Sequence, residues 1–148
     1  MNESQSAIVV GVDGSEDSND ALRWAAKQAA LTGTEVRAVT AWHSPSSYGY
    51  YVDYSDSDAA AYARATLEKA VAAVLGDPPT VPVTLSVVKG KPAKALIDAS
   101  RSAELLVVGS RGLGGFTGML LGSVSQQCVH HAACPVVVVR AGTKAAKE

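Results

Sequence analysis

The stretch at residues 105–125, LLVVGSRGLGGFTGMLLGSVS, decides how this chain folds and what it can hold. It begins with an apolar run that has the pattern of a buried strand and stops at Gly109. A glycine-rich segment follows, and Gly122-Ser123 then opens a predicted helix. A strand, a glycine loop and a helix N-terminus together place backbone N–H groups around an anion, and the helix dipole adds to the attraction. The stretch therefore predicts a phosphate-binding loop.

Composition indicates one folded domain over residues 1–148, with 47% hydrophobic and 18% charged residues. The net charge of −1 provides no basic field for nucleic acid, so no nucleic-acid partner is expected. No apolar run approaches the roughly 20 residues that cross a bilayer, and the start MNESQS does not resemble a signal peptide. Two cysteines, six residues apart, do not form a disulfide framework. We therefore expect a cytoplasmic location and no membrane partner.

The rest of the chain alternates strands with helices. Short runs that are apolar or that alternate predict strands at residues 7–12, 35–42, 81–88, 104–108 and 135–139. Helical spacing and end signals predict helices from Ser15 to Gly33, from Asp58 to Leu75, from Pro92 onward and from Ser123 to Ala133. This β-α-β-α-β-α-β-α-β order predicts an α/β fold with an open, doubly wound parallel sheet in a Rossmann-like three-layer sandwich. Such sheets bind ligands beyond the carboxyl ends of their strands.

The glycine loop does not match two common phosphate-binding motifs. A Walker A loop is excluded because no Gly-Lys-Ser/Thr follows the glycines. The dinucleotide fingerprint G-x-G-x-x-G is absent both here and in the first βα turn, GVDGSEDS. The spacing that remains is Gly109-x2-Gly112-x9-Gly122-Ser123.

This spacing, placed between the fourth strand and the last helix, resembles the ATP-binding motif of the universal stress protein family. The flanking segments VVGVDGSEDS, VVGSRG and LLGSVSQQCVHHAACPVVVVR are similar to that family as well, so the resemblance covers about residues 6 to 140. It implies a sheet of order 3-2-1-4-5, ATP as the ligand (with or without Mg²⁺), and a homodimer paired through the strand from Pro135 to Val139. An apolar edge strand also favours pairing on physical grounds.

The resemblance implies contacts along the whole nucleotide. Glycines allow close approach of the backbone, and serines in a first helical turn face an anion. Two alternatives remain open: the glycines form an ordinary surface loop, or Asp13 is only a turn residue. The resemblance implies that Val12 and Asp13 meet the nucleoside and that Ala41 contacts adenine. It implies that the ribose and the first phosphates are followed by Val108, Gly109, Arg111 and Gly112. It implies that the outer phosphates are held by Gly122, Ser123, Val124 and Ser125.

The function predicted is ATP binding in a nucleotide-sensing stress-response protein, with at most slow hydrolysis. No catalytic residue is predicted, because the sequence offers no Ser-His-Asp arrangement and no paired carboxylates. Two alternatives stay open: a nucleotide-dependent enzyme of the adenine-nucleotide alpha hydrolase-like class, with its phosphate motif after strand one, and a dimeric interaction scaffold. The nucleotide itself, ATP or another such as cAMP, also stays open.

Two further sequence patterns give weaker functional signals. Cys128, His130, His131 and Cys134 suggest zinc, but the first three have offsets of two and three on one helix and cannot converge on one ion, so no metal site is predicted. The segment from His43 to Ser57 contains four tyrosines and is long for a βα connection. It is either a solvated loop or a functional flap.

Overall fold

The structure, a computed structural model, describes residues 7–43, 56–111 and 121–140. In these ranges five strands alternate with four helices in the predicted order. The strands are β1 (Ala7–Gly11), β2 (Glu35–Trp42), β3 (Val83–Lys89), β4 (Ala103–Gly109) and β5 (Val136–Val139); the helices are α1 (Glu16–Thr32), α2 (Asp56–Leu75), α3 (Pro92–Ser100) and α4 (Ser123–His131).

The five strands form one sheet of order β3-β2-β1-β4-β5, and every neighbouring pair is parallel. Both the predicted doubly wound fold and the order implied by the family resemblance are thus confirmed. Strand order reverses between β1 and β4, which are adjacent in the sheet although most of the chain lies between them. This reversal creates a crevice at the carboxyl ends of β1 and β4, where ligands bind in open α/β sheets.

Two apolar layers cover the sheet. On one face, α1 and α2 bury residues such as Ile8, Leu22 and Leu67. On the other, α3 and α4 bury a smaller cluster that includes Leu106 and Cys128. The middle strand β1 is buried on both faces, which explains its uninterrupted apolar sequence. The chain therefore leaves β1 toward one face, into α1, and leaves β4 toward the other.

Several predicted boundaries differ by one or two residues, and three of them have a local explanation. β3 begins at Val83 instead of residue 81, since Pro82 has no N–H to give to a sheet and supplies only its carbonyl, to Val36. β5 likewise begins at Val136, after Pro135. α4 ends at His131 because the next residue, Ala132, is extended with ψ of 150°.

Candidate functional site

The N-terminus of α4 lies at the carboxyl edge of the sheet and has no side-chain cap. Gly122 occupies the cap position in an extended conformation, and its carbonyl accepts the first helical hydrogen bond from Gln126 at 3.0 Å. Among the described residues, the N–H groups of Ser123, Val124 and Ser125 have no hydrogen-bond partner. Helices usually satisfy such groups with a Ser, Thr, Asp or Asn cap. Here the donors stay open to an anion.

The N-terminus of α1, at the same edge, is closed by contrast. Ser15 caps it by accepting a hydrogen bond from the Ser18 N–H at 3.2 Å. The first turn of α1 also carries the carboxylates of Glu16 and Asp17. A phosphate there would meet a satisfied cap and two negative charges. Of the helices that follow β1 and β4, only α4 therefore offers a suitable anion site.

A cavity of about 620 Å³ opens between α3 and α4, and Ser123 and Val124 form part of its wall. Lys94 pairs with Asp98 at 3.1 Å across one turn of α3. Three cationic side chains line this cavity against one carboxylate, so its wall carries a net positive charge. The charged residues are Lys91, Lys94, Arg101 and Asp98.

The beginning and the end of the glycine loop are tied to each other. The hydroxyl of Ser125 donates to the carbonyl of Gly109. The Gly122 N–H donates to the carbonyl of Ser110 at 2.6 Å, and the Ser110 N–H donates to Val139 of β5 at 2.8 Å. The end of β4 and the start of α4 thus form one hydrogen-bonded unit. These bonds bring together three of the predicted site residues: Gly109, Gly122 and Ser125.

Asp17 of α1 joins the same unit, and sequence reasoning did not single it out. Its Oδ2 accepts hydrogen bonds from the Ser110 hydroxyl at 2.8 Å and from the Arg111 N–H at 3.0 Å. A Cβ placed on Gly109 would lie 2.7 Å from the Cβ of Asp17 and 2.8 Å from its carbonyl carbon. Gly109 is therefore required by the packing of α1. The Arg111 N–H is already used inside the protein.

The remaining predicted residues lie along the edge in different environments. Val12 is 4% exposed and its side chain packs into the core under α1 and α2, which leaves only its backbone for a ligand. Asp13 is exposed, and its Oδ1 accepts a hydrogen bond from the Ser15 N–H at 2.9 Å, the turn role that the sequence left open. Ala41 and Val124 are half-buried against the cluster under α3 and α4. Val108 is buried in that cluster.

Two sequence features lie wholly or partly outside the described residues. Gly112 belongs to residues 112–120, and most of the tyrosine-rich segment belongs to residues 44–55. In the ranges that the structure does describe, no helix is long and apolar enough to cross a membrane.

The cysteine and histidine residues of α4 have poor geometry for a metal. Cys128 is fully buried, and desolvation raises the pKa of its thiol to about 11. Burial also raises the pKa of Cys134, and the rings of His130 and His131 lie 6.2 Å apart and tilted. Within the described part of the chain, no three His, Cys, Asp or Glu side chains are grouped to hold a metal ion.

Together these features define a class: an open parallel α/β protein with an anion-attracting helix N-terminus at its topological switch point. A sequence model of the universal stress protein family matches residues 6–140. The chain belongs to that family.

Curated relatives agree with this membership. A universal stress protein of Mycolicibacterium smegmatis is 36% identical over 148 residues, which cover 95% of this chain and 50% of the relative. One from Mycobacterium tuberculosis is 41% identical over 136 residues, which cover 90% of this chain and 45% of the relative. The chain spans about half the length of the curated relatives it matches.

Solved structures share the fold. The UspA protein of Lactobacillus plantarum superposes with a TM-score of 0.74 at 21% identity, covering 91% of this chain and 97% of that one. A universal stress protein in complex with cAMP superposes with a TM-score of 0.70 at 27% identity, covering 92% and 97%. An Arabidopsis thaliana family member with AMP bound has a TM-score of 0.59 at 19% identity, covering 95% and 94%.

Proposed function

We propose that this protein holds an adenine nucleotide, ATP, with its phosphates on the N-terminus of α4, and that residues 1–148 act as one nucleotide-binding domain. One observation carries the proposal: the N–H groups of Ser123, Val124 and Ser125 are open at an uncapped helix end that faces a basic cavity. The solved relative in complex with cAMP supports the adenine nucleotide class.

The roles of individual residues follow from where their groups lie. Ser123 and Val124 would give backbone N–H groups to the outer phosphates, and the exposed Ser123 hydroxyl would add a further donor. The Arg111 N–H and the Ser125 hydroxyl are occupied within the protein and would shape the loop, so Ser125 would give a phosphate only its backbone N–H. For Arg111 the guanidinium would remain as a cation for the phosphates. Gly112 and Gly122 would allow the backbone to approach them.

The nucleoside would lie across the ends of β1, β2 and β4. Ala41 is half-buried at the carboxyl end of β2 and would contact adenine through apolar surface. The Asp13 carboxylate is exposed at the crevice and would meet the ribose. Val12, Val108 and Gly109 would contribute main-chain atoms only. ATP is proposed over cAMP because its three phosphates can form more contacts with the open N–H groups of α4 and with Lys91 and Lys94 than the single phosphate of cAMP can.

The proposed role is sensing by binding, with at most slow hydrolysis. The alternative with a phosphate motif after β1 has less support, because Ser15 and the acidic first turn occupy that helix end. We further propose a homodimer in which β5 of one chain pairs with β5 of another. Its support is that β5 is an edge strand of four valines, a surface that proteins seldom leave bare. The cytoplasmic location remains a prediction.

Calorimetric titration of the purified chain with ATP, AMP, cAMP and adenosine tests the proposal. ATP should bind most tightly and adenosine most weakly, because the phosphates supply the contacts to α4. The ATP affinity should also fall with rising salt, since exposed ionic contacts are screened. Absence of heat with all four ligands would overturn the proposal. Equal affinities for ATP and adenosine would place the phosphates elsewhere.

A further inference from the structure

Asp17 is a buried carboxylate in the second helical position of α1. It is 7% exposed, although acidic residues in a first turn usually stay in water. Its Oδ2 accepts two hydrogen bonds, from the Ser110 hydroxyl and the Arg111 N–H, across 93 and 94 residues of chain. Both donors belong to the residues that lead from β4 into the glycine loop.

Helix capping does not account for this arrangement. The cap of α1 is Ser15, and the neighbouring Glu16 is exposed where a first-turn acid interacts with the helix dipole. Asp17 instead turns to a different element, and the hydrogen bonds that it accepts there offset its desolvation. The Asp17 carboxylate therefore holds residues 110–111 in position.

Residues 109–111 in turn connect to α4. The Ser110 carbonyl accepts the Gly122 N–H at 2.6 Å, and the Gly109 carbonyl accepts the Ser125 hydroxyl. A continuous path of hydrogen bonds thus runs from Asp17 through Ser110 to the cap position of α4. The three open N–H groups of α4 begin at the residue that follows this cap.

We infer that Asp17 is a positioning residue for the polyphosphate of the bound nucleotide, an inference that rests on the function proposed above. It fixes residues 110 and 111 against α1 and so sets where the N-terminus of α4 stands relative to the crevice. It also orients its own charge toward two donors of the protein, which keeps a carboxylate from repelling the phosphates. The adenine contacts on β2 are not part of this path.

Two substitutions of Asp17 separate positioning from charge. Asp17→Ala removes the acceptor, and we expect its ATP affinity to fall about tenfold or more, as for the loss of hydrogen bonds to a charged group. Asp17→Asn keeps an oxygen that can accept both bonds, so its ATP affinity should stay within roughly threefold of the wild type. Glu16→Ala is the matched control, since it removes the same charge one residue away, and its ATP affinity should not fall.

Calorimetry with ATP and with adenosine, together with thermal unfolding without ligand, measures the outcome. A positioning role predicts that Asp17→Ala weakens ATP while its adenosine affinity stays within about twofold. Equal losses for both ligands, or an unchanged ATP affinity, would overturn the inference even though the wild type binds. If Asp17→Ala does not fold, Ser110→Ala takes its place, because it removes one of the two donors and should lower only the ATP affinity. A wild type that binds neither ligand would overturn the proposed function and, with it, this inference.

Discussion

Gly109 and Asp17 are in such close contact that a Cβ on the glycine would lie 2.8 Å from the carbonyl carbon of the aspartate. The end of β4 and the first turn of α1 are therefore packed backbone against backbone. A glycine in a phosphate-binding motif is usually explained by its ligand. Here the protein itself requires Gly109, and the ligand can benefit from the result.

The first prediction follows from this contact. Gly109→Ala should lower the free energy of unfolding by about 1–3 kcal/mol, because helix backbone must move to admit one methyl group. Denaturant unfolding monitored by circular dichroism measures the loss. Gly11→Ala is the matched control at the end of β1. Its Cβ would lie 2.8 Å from the Leu96 Cδ1, the end of a flexible side chain, so it should cost less. A smaller loss at Gly109 than at Gly11 would contradict the packing argument.

The second prediction is that a capping side chain at Gly122 stabilises the fold but weakens ATP binding. Gly122 is the cap of α4 with φ of −73° and ψ of 170°, a conformation open to any residue. Gly122→Asp should stabilise the fold by roughly 0.3 kcal/mol, because the carboxylate caps the open N–H groups. The same carboxylate should weaken ATP at least about tenfold by occupying those donors and repelling the phosphates.

Gly122→Asn separates the two causes. It caps the helix without charge, so it should weaken ATP less than Gly122→Asp does. Thermal unfolding and calorimetry on the three proteins provide the comparison. An Asp variant that binds ATP as the wild type does would show that the phosphates do not contact this helix end.

Local sequence signals located most of the fold. Continuous β-branched runs marked β1 and β5, and Gly33 marked the end of α1, where it adopts a left-handed φ of 73°. These features depend on neighbours in the chain, so the sequence contains them. The strand order did not come from periodicity, because pairing between β1 and β4 joins distant residues. It required the family resemblance.

The candidate site was predicted less completely for the same reason. The open N-terminus of α4 was expected from Gly122-Ser123, and it is present. Asp17 was not predicted as a site residue, because the hydrogen bond that it accepts from Ser110 spans 93 residues. One signal was available: Asp17 precedes Ala21 by four residues and so lies on the buried side of α1. A charged residue on an apolar stripe indicates a buried partner.

A third prediction concerns the proposed dimer. The carbonyls of Pro135 and Val139 accept hydrogen bonds from Leu106 of β4 and from Ser110 just after it. Alternation therefore directs the N–H of Val138 toward the outer edge. Val138→Pro removes this outward donor without removing a bond to β4. If dimers pair through β5, the variant should weaken dimerisation roughly tenfold or more. Sedimentation velocity over a range of concentrations measures it.

Val138→Ala is the control for lost packing, because the Val138 side chain lies against the core cluster under α3 and α4. It keeps the N–H and should keep the dimer. Side-chain charges are less suitable here, since Val137 packs on the opposite core and an aspartate there would disturb the fold itself. Equal oligomeric states for the wild type and Val138→Pro would exclude strand pairing at this edge.

The last prediction concerns pH. The Cys128 thiol is fully buried, and desolvation raises its pKa from 9.0 to about 11. Between these values the unfolded chain loses the thiol proton while the folded protein keeps it, so the free energy of unfolding should fall as pH rises. Because the pKa of this thiol is about 2 higher in the folded protein, the free energy of unfolding should fall by about 2–3 kcal/mol between pH 9 and pH 11.

Denaturant unfolding across that range should show this decline in the wild type and in Cys134→Ala, which retains Cys128. In Cys128→Ala the decline should be smaller by this amount, although the variant starts from a lower stability because it leaves a cavity. Parallel declines in all three proteins would mean that water reaches this thiol in the folded state.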